Sequence, residues 1–189
     1  MLRRLGLAVL FALAAGNAHA AVWTPDFANS TIQWQAFWNT SPVNGRFRTW
    51  QTDFELDPAA PEKGHIKTII TLASVDTQYP ERDEALKGPD WFNTAAYPQA
   101  VFESHRITKT TQGYVAAGKL TLGGVTLPLA FPFTFTVKPE PGHTQQAFLA
   151  STFKVSRKAF HIGSGAWKDT GQIKEMVTVK INLTLTAPQ

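Results

Sequence analysis

The stretch V-T-V-K-I-N-L-T-L-T, residues 177–186, decides the fold. Val177, Val179, Ile181, Leu183 and Leu185 share one parity, and Thr178, Lys180, Asn182, Thr184 and Thr186 take the other. Successive side chains of an extended chain point to opposite faces, so this is a strand with one apolar face and one face toward water. The pattern recurs upstream. Ile32, Trp34, Ala36 and Trp38 alternate with Thr31, Gln33, Gln35 and Phe37; Trp50, Thr52, Phe54 and Leu56 share a face; and Ile66, Thr68, Ile70 and Leu72 alternate with His65, Lys67, Ile69 and Thr71. Val101–Thr108 and Tyr114–Leu122 read as a hairpin around Gln112-Gly113, and Phe148–Val155 as a further strand. Leu127, Leu129, Phe131, Phe133, Phe135 and Val137 make the longest apolar stripe. Pro128 and Pro132 occupy its other parity, and because proline donates no ladder hydrogen bond this strand is expected at an edge or locally irregular. Asn44-Gly45 and Gly123-Gly124 are expected turns, with Asp57-Pro58 ending one strand and Gly64 opening the next.

About eight antiparallel strands follow, interrupted between Asp76 and Pro98 by one short helix at Pro80–Gly88, where Lys87 lies four residues after Asp83 and Gly88 stops the helix. Each strand has one apolar face. Either two sheets stack or one sheet curls into a barrel, and periodicity does not separate the two. The inward set Trp34, Trp38, Phe54, Phe102, Phe131, Phe133 and Phe135 is bulky and unbranched. It suits the lining of a space for a flexible apolar guest, and it equally suits a filled core.

The 189 residues are 43% hydrophobic and 17% charged, with 13 Gly and 12 Pro, which fits one folded domain and excludes a disordered chain. No cysteine is present, so disulfides, thiolate nucleophiles and Cys-ligated metal are excluded together. Arg3 and Arg4, the apolar run Leu5–Ala15 and Ala18-His19-Ala20 read as an export signal spanning residues 1–20. The run is too short for a membrane span, which needs ~20 residues. Cleavage before Ala21 removes two arginines and lowers the formal charge from +4 to +2. The mature chain, domain residues 21–189, has no Lys/Arg run that would grip nucleic acid. A bacterial periplasm is the expected address.

The run Ser74-Val75-Asp76-Thr77 with Glu81-Arg82-Asp83 and Leu86-Lys87, then Phe92-Asn93-Thr94 and Tyr97-Pro98-Gln99-Ala100 before Phe102, resembles the signature of the YceI-like family. Asn44-Gly45-Arg46-Phe47, Gly118–Pro128 and Ser156-Arg157-Lys158-Ala159-Phe160-His161-Ile162-Gly163 are similar to three further family motifs, in order. The resemblance implies an all-β fold, an extended eight-stranded antiparallel lipocalin-like barrel with one short helix. It implies a periplasmic protein whose apolar tunnel binds an isoprenoid chain, such as a polyprenyl phosphate or the tail of ubiquinone, with no enzymatic activity and no cofactor beyond that lipid. Relatives can pair as dimers. Many relatives carry a His in the first strand where this chain has Phe37. A second reading makes the protein an interaction partner of a membrane cytochrome b-type quinol oxidoreductase, with the lipid incidental.

On this reading the aromatic set lines the tunnel, and Arg82, Trp91, Phe92, His161 and Trp167 are candidates for the mouth or the head group. Arg82 at the helix start could receive a phosphate or quinone. Alternatively, Asp76, Arg82 and Asp83 hold the helix onto the barrel by ion pairs and hydrogen bonds. Ser156 with His161 lacks a nucleophile elbow and an orienting acid, so no catalytic triad is expected. The histidines show no metal-ligand spacing.

Overall fold

Strands that each carry one apolar face can bury it by curling a single sheet until its ends meet. The computed structural model describes residues 21–139, 144–168 and 171–188, and the expected export signal lies outside them. The strands are β1 (Val22–Pro25), β2 (Thr31–Trp38), β3 (Ser41–Phe47), β4 (Trp50–Glu55), β5 (His65–Thr71), β6 (Val75–Asp76), β7 (Gln99–Thr110), β8 (Gly113–Leu122), β9 (Val125–Pro139), β10 (Thr144–Ser156) and β11 (Met176–Pro188). One α-helix, α1, spans Pro80–Lys87. Hydrogen-bonded neighbours run β1-β4-β5-β7-β8-β9-β10-β11 and return to β1, every pair antiparallel. The fold is therefore an eight-stranded closed barrel, and β2, β3 and β6 form an added ribbon along β11.

Closure rests on β1, a strand too short to show alternation. Trp23 pairs with Phe54 of β4, while Thr24 and Pro25 pair with Thr186 and Leu185 of β11. The Trp23 side chain turns inward, is 2% exposed, and donates its indole N–H to the Leu56 carbonyl at 3.0 Å. Phe135 meets it edge-on at 5.1 Å, Phe54 meets Phe135 at 5.5 Å, and Tyr114 stacks on Phe133 at 5.3 Å. With Ile107, Ala116 and Leu185 these rings fill one end of the barrel as a solid plug.

Two expectations about turns and prolines meet different outcomes. Asn44-Gly45 is not a turn: both residues lie inside β3, and the chain reverses at Asn39-Thr40, where Asn39 has φ +52°. Gly45 lies opposite Trp34, and a Cβ there would overlap the indole at Cζ2 and Cε2. The glycine serves ring packing, not chain reversal. Pro128 and Pro132 do mark an irregular edge. β9 pairs with β8 over Val125–Phe133, but with β10 only over Thr134–Pro139, so both prolines sit where β9 has one neighbour.

α1 covers the expected residues. Pro80 at its first turn needs no N–H partner, and Tyr79 supplies no side-chain cap. Asp83 instead folds back and accepts from the Thr77 amide at 2.8 Å and the Thr77 hydroxyl at 2.6 Å, fastening the turn that leads into the helix.

Replacing Gly45 with Ala overpacks the site beneath Trp34 and should lower stability by about 1–3 kcal/mol. Urea denaturation of the variant beside wild type checks this. Unchanged stability would show that the indole moves aside freely.

Candidate functional site

Filling one end of the barrel leaves the other end to be shaped by a mixture of aromatic and aliphatic side chains. Between the plug and the opposite mouth lies a cavity of about 210 Å³. Its walls are the inward parity of nearly every strand: Trp34 and Ala36 of β2, Thr52 and Phe54 of β4, Phe102 of β7, Phe131 of β9, Phe153 and Val155 of β10, and Val177 to Leu183 of β11. Trp91, Phe92, Leu86, Ile162 and Ile173 border it at the mouth.

Of the seven aromatics expected in a tunnel lining, Trp34, Phe54, Phe102 and Phe131 line this cavity. Phe133 and Phe135 point inward but belong to the plug, because β9 runs the full height of the barrel and its last inward residues reach the filled end. Trp38 is 41% exposed, since β2 extends past the mouth and the inward parity there no longer faces the barrel. It contacts Trp167 at 5.5 Å, and Trp167 contacts Trp91 at 5.8 Å, so three indoles run across the rim. Phe92 packs on Phe47 at 5.7 Å. Phe37 has the parity opposite to the cavity residues of β2 and does not line it.

Arg82 lies outside the cavity lining, with its guanidinium 5.2 Å from the Tyr79 ring centroid. Nor does it pair with Asp76. The buried Asp76 carboxylate accepts from Arg46 Nε at 2.8 Å, Arg48 Nε at 2.9 Å and the Gln78 amide at 3.0 Å. The Arg48 and Arg46 guanidinium groups, then the Gln78 amide, hold its carboxyl well below the usual carboxylate range. His161 is exposed, in the left-handed region at φ +57°, and is not part of the lining. Ser156 donates to Glu175 at 2.7 Å and accepts from the Ala159 amide at 3.2 Å, which makes it a clamp at the start of its loop.

The residue that organises the mouth is Arg157, the second residue of the Ser156–Gly163 motif and not one of the candidate site residues. It is 4% exposed and lines the cavity. Nε donates to Lys174 O, Nη1 to Ile162 O and Gly163 O, and Nη2 to Trp167 O and Ile173 O, at 2.9 to 3.2 Å. All five guanidinium N–H groups thus end on backbone carbonyls of one loop. Burial pushes its pKa down from the ordinary arginine value, and Glu175 opposes that shift. Gly163, at φ +77°, lies so close to Nη1 that a side chain there would collide with it. A second tie joins this loop to the segment after α1: the Gly163 and Ser164 amides both donate to Asp90 O at 2.8 Å.

The cavity wall is apolar apart from a few groups. Thr52 and Thr68 share a hydrogen bond of 2.8 Å, and Arg157 is engaged as described. The indole N–H of Trp34 is enclosed without a partner among the described residues.

Residues 23–185 match the model of the YceI-like domain. The chain belongs to the YceI-like family. A UPF0312 protein of Yersinia pestis is 30% identical over 137 residues, 72% of this chain and 71% of that protein. One from Photorhabdus laumondii is 40% identical over 85 residues, which span 45% of this chain and 44% of that relative. Among solved structures, Burkholderia cenocepacia BcnA superposes with a TM-score of 0.78 at 30% identity, covering 85% of this chain and 98% of BcnA. A polyisoprenoid-binding domain from Saccharophagus degradans shares the fold, with a TM-score of 0.61 at 17% identity over 89% of this chain and 99% of that domain.

Two outcomes follow for this YceI-like barrel. Lysine at position 157 cannot reproduce a five-pronged planar donor, so Arg157→Lys should cost about 2–4 kcal/mol. Hydrogen exchange across residues 158–175 should rise in that variant, and an unchanged exchange pattern would contradict the assigned role. Asp76 titrates lower in the folded chain than unfolded, so its contribution is fully present above pH ~4 and is lost as pH falls below that. Melting temperature should fall progressively as pH drops from about 4 to about 2, and Asp76→Asn should flatten that slope.

Proposed function

We propose that this YceI-like protein is a lipid-binding protein that encloses part of an isoprenoid chain in the mouth half of its barrel, in the periplasm. The single observation that carries the reading is a 210 Å³ cavity walled almost wholly by apolar side chains and roofed by two tied segments. The polyisoprenoid binding named for the Saccharophagus degradans domain agrees with it.

Volume and area set what such a cavity can do. A cavity of ~150 Å³ takes up one benzene-sized guest, so this one holds on the order of two isoprene units with the side chains in these positions. Each buried carbon contributes about 0.8 kcal/mol, and ordering costs remove several kcal/mol. Affinity should therefore climb steeply with the first few isoprene units and then level off as further chain stays outside.

The head group follows from charge. A phosphate needs free cationic donors, and the arginine in the wall has every N–H committed to carbonyls. A neutral quinone ring is the better match to this wall, and a phosphate would have to stay at the rim.

Protein purified from a bacterial periplasm and analysed by native mass spectrometry, then organic extraction, should carry a stoichiometric isoprenoid with a quinone head. Phe131→Asp should abolish retention, whereas Lys180→Ala on the outer face should not. Equal lipid content in both folded variants, or no uptake of any prenylated quinone, would refute the assignment.

A further inference from the structure

An antiparallel barrel holds its wall by backbone hydrogen bonds between neighbouring strands, so a pair of neighbours without them is the place where the wall parts most easily. One such pair, over part of its length, is β9 and β10. Their ladder ends at Thr134 and Ala150. Beyond it, Val125–Phe133 pairs only with β8, and Ser151–Ser156 pairs only with β11. Pro128 and Pro132 stand at even positions of β9, the parity whose N–H groups face β10, and so remove two donors from that edge.

The seam is closed by side chains. Phe131 stacks on Phe153 with centroids 4.7 Å apart and planes 15° from parallel. The Ser151 hydroxyl donates to Pro132 O at 2.6 Å, the one hydrogen bond across the seam among the described residues. Phe131, Phe153, Leu129 and Val155 form the cavity wall on their inner side, so parting these strands opens the cavity directly to the outside.

The mouth is held much more firmly. Lifting its loop would break five Arg157 hydrogen bonds and the two amide bonds to Asp90 O. Each of those carbonyls would need a new partner, whereas opening the seam costs one hydroxyl bond and a ring stack that an apolar chain replaces as it passes.

We propose that an isoprenoid chain enters and leaves the cavity sideways, between β9 and β10, while the mouth stays closed. This rests on the lipid-binding reading and adds the route. The chain contains no native cysteine, so Ala130→Cys with Lys154→Cys places one thiol on each side of the seam, at exposed outward positions. A control pair, Thr136→Cys with Phe148→Cys, bridges residues already paired in the ladder. Both pairs are joined by oxidation or by a short bis-thiol linker.

The probe is a benzoquinone bearing a two-unit isoprenoid tail, and loading is followed by quenching of tryptophan fluorescence after rapid mixing. Bridging the seam should slow loading and release by roughly tenfold or more, reversibly on reduction or in comparison with the unlinked variant, with equilibrium affinity unchanged. The control bridge should leave the rates at the wild-type level. Ser151→Ala should speed both rates by about three- to tenfold, as expected for loss of one hydrogen bond. Equal loading rates in the seam-bridged and unbridged proteins would overturn the route and leave lipid binding intact. No quenching in any protein, wild type included, would overturn the lipid reading and the route with it.

Discussion

The barrel depends on the closure that β1 makes between β4 and β11. Four residues join two strands that would otherwise present open edges, and Trp23 drives the joint because its ring finds apolar neighbours while its N–H finds the Leu56 carbonyl. An open sheet would leave one apolar face and two edges to water. Once closed, the inward residues have no alternative but to fill or line the interior.

How they divide that interior follows from where large rings fall along the strands. Trp23, Phe54, Tyr114, Phe133 and Phe135 converge at one height and pack edge-on or stacked, leaving no room between them. Nearer the mouth Leu, Ile, Val, Ala and Thr stand among the rings, which include the contacting set Phe102, Phe131 and Phe153, and space is left. The mouth is then roofed by a loop whose backbone turns inward around one guanidinium. An arginine suits this because its planar fork supplies five donors at fixed angles and stays charged when buried, so carbonyls that would lose water gain partners. The result is a tied roof beside a wall whose ladder is broken between β9 and β10.

Much of this was legible in the residues. Alternation marks β2, β4, β5, β9 and β11, the helix bounds follow from Pro80 and Gly88, and the prolines of β9 announce an edge or an irregular strand. Three things were not. β1 is too short for a period to show. Gly45 reads as a turn because Asn-Gly is ordinary turn chemistry, and only the indole lying on it gives another reason. Arg157 reads as a polar loop residue, since its five partners are backbone carbonyls, which carry no signature in side-chain sequence. Among the candidate site residues, parity assigns all seven aromatics of the lining set to one face of their strands. It could not say at what height along the barrel each would sit, which is why Phe133 and Phe135 fall in the plug and Trp38 beyond the rim.

The sequence by itself determined that the chain folds as antiparallel strands, each with one apolar side, around a single small helix. Those outcomes depend on neighbours in the chain, and period and turn chemistry report neighbours. The closed barrel, the division into plug and cavity, the pairing of Asp76 with Arg46 and Arg48 rather than Arg82, and the seam between β9 and β10 were decided by the tertiary structure alone. Each depends on the stagger between strands far apart in sequence, which sets the height at which side chains meet and which backbone groups find partners.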